Sequence, residues 1–343
     1  MDAARVTPLA QIGRFLRLSV LGFSLLLPLG GAATMAIDVS ALQVAALLAV
    51  AFAFHVFGYV SNDVCDLAID RTEPLRAGSP IVRGLISPRL AFAIAMIPVP
   101  LAALLHVLAG GAPIGAILLL AGMGFGWVYN AYGKRMRFPL LSDAIQSLAW
   151  VALAWYGAVC VTGSFVATLT MPFAWFAATA FVYVMMINGL HGGLRDLAND
   201  KHHGAITTAI FLGAHVHESG RLIIPKRLAL YGLTLHLLLP IIGIVAVARR
   251  WPVAAIAIVI AHSALLFIAR KALRATDDRK QLVLAGFAHL FLSLGVVFLP
   301  FALFGNLTVA VTMIAVYAVP VMVLGIRMTR RALFPGFAPA TRQ

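Results

Sequence analysis

The chain is dominated by apolar runs long enough to cross a lipid bilayer, and this feature restricts its fold more than any other. A membrane-crossing helix needs roughly 20 predominantly apolar residues. Ten runs of about this length lie at approximately residues 13–36, 41–61, 90–109, 112–131, 140–162, 172–193, 228–248, 252–271, 282–304 and 307–326. Only 11% of the 343 residues are charged, against about 25% in soluble proteins. The sequence predicts an all-α polytopic membrane bundle of nine or ten transmembrane helices around a central cavity, in a single domain covering residues 1–343.

The basic residues predict how this bundle is oriented. With the N-terminus inside, all of the 26 Lys and Arg residues except Arg249 and Arg250 fall on one side, as expected for cytoplasmic loops. Ten spans also place the basic C-terminus inside, whereas nine would leave it outside. We therefore expect ten spans in the cell inner membrane, with both termini and the active site on the cytoplasmic side. The net charge of +14 comes from short basic clusters between apolar runs, which favours anionic lipid over nucleic acid as the partner.

An acidic cluster follows the second apolar run. Four of the twelve acids of the chain lie between positions 63 and 73. If this segment is helical, Asp63, Asp66 and Asp70 project from one face over two turns. Like charges held this close repel one another unless a cation lies between them. Carboxylate oxygens, with the amide oxygen of Asn62, are ligands that Mg²⁺ prefers.

A second acidic pair follows the sixth apolar run, at the matching point of the second half of the chain. Asp196 and Asp200 are again four residues apart and share a helical face. One such cluster alone would fit a solvated helix end, balanced in the first case by Arg71 and Arg76. Two clusters leaving the membrane on the same side favour a paired metal site facing a cavity.

The motifs Asn62-Asp63-x-x-Asp66-x-x-x-Asp70 and Asp196-x-x-x-Asp200 resemble the two aspartate-rich motifs of the UbiA superfamily of intramembrane prenyltransferases. The likeness extends to the segments Arg83–Ser87 and Tyr132–Arg135, and to Gly204 and Thr207. It implies that Mg²⁺ held by both motifs binds a polyprenyl diphosphate, whose prenyl group passes to an aromatic or other lipophilic acceptor. The chain departs from many members at Gly192 and Asn199, where a further acid is common.

The expected site residues are metal ligands, cations that bind diphosphate, catalytic residues and residues that bind the acceptor. The metal ligands are Asn62, Asp63, Asp66 and Asp70 for one Mg²⁺ and Asp196 and Asp200 for a second. Cleavage of an allylic carbon–oxygen bond leaves extra negative charge on diphosphate, which Lys and Arg stabilise; the candidates are Arg71, Arg83, Lys134, Arg135 and Lys201. Most loop cations have no such role, but the resemblance favours Arg83 and Lys134. Tyr132 can stabilise a carbocation through its ring, so the catalytic residues are expected to be Asp66, Asp196, Lys134 and Tyr132.

Asp143 lies one turn inside the fifth run, where an ionisable group is costly and usually functional. Together with Gln146, one turn further along the same face, it is assigned to the acceptor or to the inner wall of the cavity. The competing interpretation is an interfacial ion pair with Lys134 or Arg137. His191, His202 and His203 are not expected to bind zinc, because no cysteine or further spaced histidine accompanies them.

The predicted reaction is Mg²⁺-dependent transfer of a prenyl group to a quinone precursor or a secondary-metabolite aromatic. The second motif is most similar to members that prenylate quinone precursors such as dihydroxynaphthoate. An alternative within the family is cyclisation of the prenyl diphosphate without an acceptor. A remote alternative is a cation-coupled transporter, which would place its acids near the membrane midplane in broken helices, whereas these acids lie at helix ends.

Overall fold

A computed structural model describes residues 7–218, 221–274 and 279–318. Sixteen α-helices account for almost all regular structure there: α1 Pro8–Phe15, α2 Leu21–Ala33, α3 Ala41–Cys65, α4 Leu67–Asp70, α5 Pro88–Met96, α6 Pro98–Leu108, α7 Pro113–Tyr132, α8 Pro139–Thr162, α9 Met171–Met186, α10 Gly193–Arg195, α11 Leu197–His202, α12 Thr208–Phe211, α13 Lys226–Val247, α14 Pro252–Arg274, α15 Arg279–Phe298 and α16 Leu307–Tyr317. Strands β1 (His215–Val216) and β2 (Leu222–Ile223) form an antiparallel hairpin with His215 opposite Ile223.

The predicted apolar runs all contain helix, but the predicted number of spans is not confirmed. Within the described residues, six helical stretches are long and apolar enough to cross a membrane. The first run becomes a seventh only if two helices bent by 58° are taken together. The last three runs give shorter apolar helices, at Pro252–Phe267, Ala288–Phe304 and Leu307–Tyr317. Positions 319–326 of the tenth run, and Arg327, Arg330 and Arg331 beyond it, lie outside the described residues.

Prolines set many of the helix boundaries. Pro88, Pro113 and Pro139 occupy the first turns of α5, α7 and α8, where a missing backbone N–H costs nothing. Ser87 completes the start of α5 by accepting a hydrogen bond from the backbone of Leu90 at 3.2 Å. Pro98 divides the third apolar run into α5 and α6, because proline cannot continue the helical hydrogen bonds that precede it.

Helices that follow one another in the chain pack side by side, and the last described helix packs against α2 near the start of the chain. α3 packs on α5, α6 and α7, α8 on α7 and α9, and α13 on α9 and α14, while α16 returns to α2. α2 also crosses α8 so closely that a Cβ added to Gly31 would lie 1.9 Å from the carbonyl oxygen of Ala154. A Cβ on Gly157 would meet the carbonyl oxygen of Pro28 at 2.0 Å. Glycine at both positions therefore permits this crossing, as is common between membrane helices.

Candidate active site

Both acidic motifs open into one cavity of about 1130 Å³. Seven of the twelve acids of the chain line it: Asp63, Asp66, Asp70, Glu73, Asp143, Asp196 and Asp200. Five cations line it as well: Arg14, Arg17, Arg76, Lys134 and Arg195. Away from these charges much of the wall is apolar, and it includes the aromatic side chains of Phe54, Trp150 and Tyr183 from three different helices. The cavity can therefore hold a molecule with a highly charged end and an apolar body.

The two motifs have the same local backbone. The helix is interrupted at Asp66, with φ −90° and ψ 3°, and again at Asp196, with φ −93° and ψ 2°. In each case the acid four residues later donates its backbone N–H to the carbonyl of the interrupting residue, at 2.8 Å for both Asp70 and Asp200. The acids of each motif therefore do not share the face of one continuous helix, as the spacing predicts, because the helix is interrupted within the motif. A π-helical segment, Ile187–Gly192, precedes the second motif.

Lys134 connects the two motifs. Its Nζ lies 3.3 Å from Oδ2 of Asp66 and 3.0 Å from Oδ1 of Asp200. Asn62 donates to the same Oδ2 of Asp66 at 3.3 Å. The ammonium of Lys134 thus occupies the space between one carboxylate of each motif.

Three arginines pair with the remaining acids of the two motifs. The guanidinium of Arg76 lies 3.5 Å from both Asp63 and Asp70, and Arg17 also pairs with Asp63. Arg195 forms a bidentate ion pair with its neighbour Asp196 through two nitrogens, and its Nε lies 2.6 Å from Oδ1. The carboxylates are thus grouped by shared cations, with Asp66 beside Asp200 rather than beside Asp63 and Asp70.

Arg17 reaches the site because the first apolar run is bent. It has a left-handed backbone, with φ 48° and ψ 41°, which is uncommon outside glycine. His55 stabilises this bend from α3: its Nε2 donates to the carbonyl of Leu16 at 2.9 Å, and its Nδ1 accepts from Ser24 at 2.8 Å. Arg17 then lies 5.5 Å from the ring centre of Tyr59.

Asn199 fastens the second motif to the first. Its side-chain amide donates to the carbonyl of Ile69 at 2.8 Å. Its Oδ1 lies 2.8 Å from the hydroxyl of Thr72, which is itself 2.7 Å from Nε2 of His203. Asn199 therefore ties the two acidic segments together.

Burial and charge shift the titration of the acids beyond the spans. Burial, assisted by the neighbouring Asp63 and Asp66 and opposed by Arg76, raises the pKa of Asp70 to about 6. Burial also raises the pKa of Asp200, against the attraction of Lys134. At Asp196 burial acts in the same direction, but the Arg195 guanidinium outweighs it and the pKa falls below its usual value.

The predicted metal ligands all line the cavity, but they do not converge on one point. Within the described ranges, no group of three or more His, Cys, Asp or Glu side chains is arranged to hold a metal ion. Each motif carboxylate instead faces Lys or Arg. Their oxygen-rich chemistry fits Mg²⁺, which usually retains several waters and takes one or two carboxylates.

The predicted diphosphate clamp is only partly found at the cavity. Lys134 lines it, whereas the side chains of Arg71, Arg83, Arg135 and Lys201 are exposed and do not. Tyr132 is 57% exposed and also lies outside the lining, where Tyr59 and Tyr129 are found instead. Arg17 and Arg195 were not singled out from the sequence, and Arg76 was considered only as a balancing charge. Arg195 is adjacent to a motif acid, and that adjacency is the signal that could have identified it.

Asp143 and Gln146 both line the cavity. Asp143 accepts a hydrogen bond from the Thr208 hydroxyl at 2.5 Å, and Gln146 accepts one from Asn188. Lys134 is occupied by the motif acids, so the alternative in which it pairs with Asp143 is not what the structure shows. Thr208 follows the second motif and Asn188 lies in the π-helical segment, so both contacts join α8 to the second acidic half.

The sequence matches the model of the UbiA prenyltransferase family over residues 21–295. The chain therefore belongs to this family, and it is an integral membrane protein. No curated protein matches the sequence.

Solved structures show the same fold. An apo UbiA homologue from Aeropyrum pernix K1 is 17% identical with a TM-score of 0.59, covering 88% of this chain and 97% of that one. A UbiA homologue from Archaeoglobus fulgidus bound to GPP and Mg²⁺ is 17% identical with a TM-score of 0.57, covering 90% and 100%. A digeranylgeranylglyceryl phosphate synthase is 17% identical with a TM-score of 0.51, covering 95% and 98%.

Proposed function

We propose that this protein is a Mg²⁺-dependent intramembrane prenyltransferase that moves the prenyl group of a polyprenyl diphosphate to a lipophilic aromatic acceptor. The main observation is that both acidic motifs and five cations line a single cavity whose apolar wall includes several aromatic side chains. A family relative of the same fold binds GPP with Mg²⁺, which supports the donor and the metal. By the distribution of basic residues, we place the charged end of the cavity on the cytoplasmic side of the inner membrane.

In this proposal one Mg²⁺ is held by the first motif and a second by the second motif. The ligands are Asn62, Asp63, Asp66 and Asp70 for the first ion, and Asp196 and Asp200 for the second. Mg²⁺ bound among them would neutralise diphosphate and stabilise the charge of the leaving group. Lys134, Arg17, Arg76 and Arg195 would then exchange carboxylate contacts for contacts with phosphate oxygens. Cations positioned in this way stabilise the charge that develops as the bond breaks.

In the transfer step the allylic carbon–oxygen bond breaks and its electron pair stays on diphosphate. A ring carbon of the acceptor forms the new carbon–carbon bond and then loses a proton, which the released diphosphate takes up. Tyr59 and Trp150 present aromatic faces that can stabilise the allylic cation, and the apolar wall excludes water from it. Gln146, Asn188 and Asp143 are placed to orient the acceptor, which we propose to be a quinone precursor or a secondary-metabolite aromatic.

Substitution of the motif acids tests this proposal. We expect Asp66→Ala and Asp196→Ala each to abolish Mg²⁺-dependent diphosphate release from geranylgeranyl diphosphate in reconstituted, folded protein. Asp38→Ala, at an exposed acid outside the cavity, is the control and should retain activity. Full turnover in both cavity variants would disprove the site assignment.

Product analysis tests the reaction type. Incubation with geranylgeranyl diphosphate and Mg²⁺ should give prenylated product only when an aromatic acceptor is added. A cyclic hydrocarbon formed without acceptor would identify a terpene cyclase and refute the transferase proposal.

A further inference from the structure

Four histidines come together inside the bundle, next to the cavity. His191 belongs to the π-helical segment, His236 to α13, His262 to α14 and His289 to α15. The ring centre of His236 is 5.6 Å from that of His191 and 5.0 Å from that of His289, and His262 lies 6.4 Å from His289. These four residues are not adjacent in sequence, so the packing of three helices against the π-helical segment creates the cluster.

Much of the hydrogen-bonding capacity of this cluster is unused. His289 is only 4% exposed and lies against the backbone of Leu265, so at least one of its ring nitrogens has no hydrogen-bond partner among the described residues. Nε2 of His191 and Nδ1 of His262 have no partner there either. By contrast, His262 donates through Nε2 to the carbonyl of His236 at 2.9 Å, and His236 donates through Nδ1 to that of Gly232 at 2.7 Å.

Buried polar atoms without partners are costly, and the cost is greatest in a membrane, where no water replaces the missing bond. Such atoms in a native structure call for an explanation, such as a bound molecule that supplies the partner. A single metal ion does not explain them, because no three ligating side chains are arranged around one point within the described residues. Each unpaired nitrogen is instead available for its own hydrogen bond.

The cavity reaches the cluster at His191, the one member of the four that lines it. Phe291 and Leu294 of α15, the helix that carries His289, line the cavity as well. A molecule in the cavity therefore meets an apolar wall and the imidazole of His191, with the other three rings packed behind it. A neutral imidazole offers one donor and one acceptor, which matches a neutral hydroxyl group. The cations that suit an acidic group are positioned instead at the motif acids.

We propose that the cluster of His191, His236, His262 and His289 binds the hydroxyl group of a phenolic or quinol acceptor. The inference rests on the proposed function and specifies its substrate class. His191 is one turn before the second motif, so an acceptor bound in this way has its ring between the histidines and the diphosphate. The histidines position the acceptor and take no part in breaking the carbon–oxygen bond.

The experiment compares a phenol with its methyl ether, because the ether cannot donate a hydrogen bond. Full-length protein in nanodiscs, labelled with ¹⁵N-histidine, is titrated with 1-naphthol and separately with 1-methoxynaphthalene. Addition of 1-naphthol should shift the imidazole resonances assigned to His191 and His289, and 1-naphthol should bind at least about fivefold more tightly than the ether, the contribution of one hydrogen bond.

Two variants locate the effect. His289→Phe and His191→Phe should each remove the preference for 1-naphthol, and His289→Asn, which can still form hydrogen bonds, should restore part of it. His202→Phe, at an exposed histidine outside the cavity lining, should leave the preference unchanged. Binding of dimethylallyl diphosphate with Mg²⁺ serves as a check that each variant is folded.

Three results would overturn the inference. They are equal binding of the two probes by wild-type protein, unshifted imidazole resonances, or a stoichiometric transition metal that copurifies and is lost in His289→Phe. Failure of the proposed function would look different: wild-type protein would not bind dimethylallyl diphosphate with Mg²⁺, whatever its preference between the probes.

Discussion

Lys134 gives the sharpest test of the site, because its removal should change metal binding and catalysis in opposite directions. Its Nζ contacts one carboxylate from each motif, at 3.3 Å and 3.0 Å. These are the carboxylates proposed to bind Mg²⁺, so the ammonium competes with the metal until diphosphate arrives. Substitution by methionine keeps most of the side-chain volume and removes the charge.

The size of the first effect follows from burial. The Lys134 side chain is 27% exposed, but that of Asp200 is only 3% exposed. Each contact should therefore be worth at least the upper part of the range for surface pairs, about 1 kcal/mol. Losing two such competing contacts, about 2 kcal/mol together, should tighten Mg²⁺ binding to the substrate-free protein by about thirtyfold. Isothermal titration of the protein in nanodiscs measures this affinity.

The second effect concerns the leaving group. Loss of one positioned group that stabilises developing negative charge lowers kcat by about 10²- to 10³-fold, and Lys134→Met should show a loss of this size in diphosphate release. Lys134→Arg should retain part of the activity, and Arg135→Met, at an exposed neighbour outside the cavity, should be normal. Unchanged or weaker Mg²⁺ binding in Lys134→Met would refute the competition, and a kcat within threefold of wild type would refute the clamp.

Three further predictions concern the supports of the site. Asn199→Ala removes the bond to Ile69 and should lower stability by about 1 kcal/mol, measured by thermal unfolding, with a fall in kcat; an unchanged melting temperature would contradict this. Since burial raises the pKa of Asp70 to about 6 from 3.8, this group favours the folded, metal-free protein at low pH and loses that contribution as the pH rises from about 4 to 6. Mg²⁺ affinity should therefore fall as the pH drops below about 6, and Asp70→Asn should remove that step. Gly31→Val should lower stability by at least about 1–3 kcal/mol through backbone overlap, whereas Gly124→Val, with open space around it, should not; similar melting temperatures for both would be inconsistent with the close crossing.

The helices were largely predictable because their signal is local. The second apolar run, marked at 41–61, became α3 at Ala41–Cys65, and the run marked at 140–162 became α8 at Pro139–Thr162. Apolar length and flanking prolines determine such boundaries without reference to the rest of the chain. The bend at Arg17 was not predictable in this way, because it depends on a hydrogen bond from His55 on another helix.

The acids of the two motifs could also be predicted from the sequence to lie at the cavity, because carboxylates are rare in this chain and a cluster of them stands out. The cations were harder to find, because every loop on one side of the protein carries them. Arg17 precedes its partner Asp63 by 46 residues, and only folding brings them together. Exposed Arg83 and Lys201 have the same local character as the cations that line the cavity, so composition and spacing could not separate the two groups.

The pairing of Arg17 with Asp63 has a consequence for biogenesis. Arg17 lies in the first apolar run and Asp63 follows the second, so both leave the ribosome before any of the second half has been synthesised. A carboxylate entering lipid alone is costly, but here a partner from the same hairpin of helices is already present. Asp63 can therefore be inserted together with its cation while α8 and α16, the later neighbours of α2, are still to be made. Arg17, which we propose contacts diphosphate in the folded protein, would first neutralise Asp63 during membrane insertion.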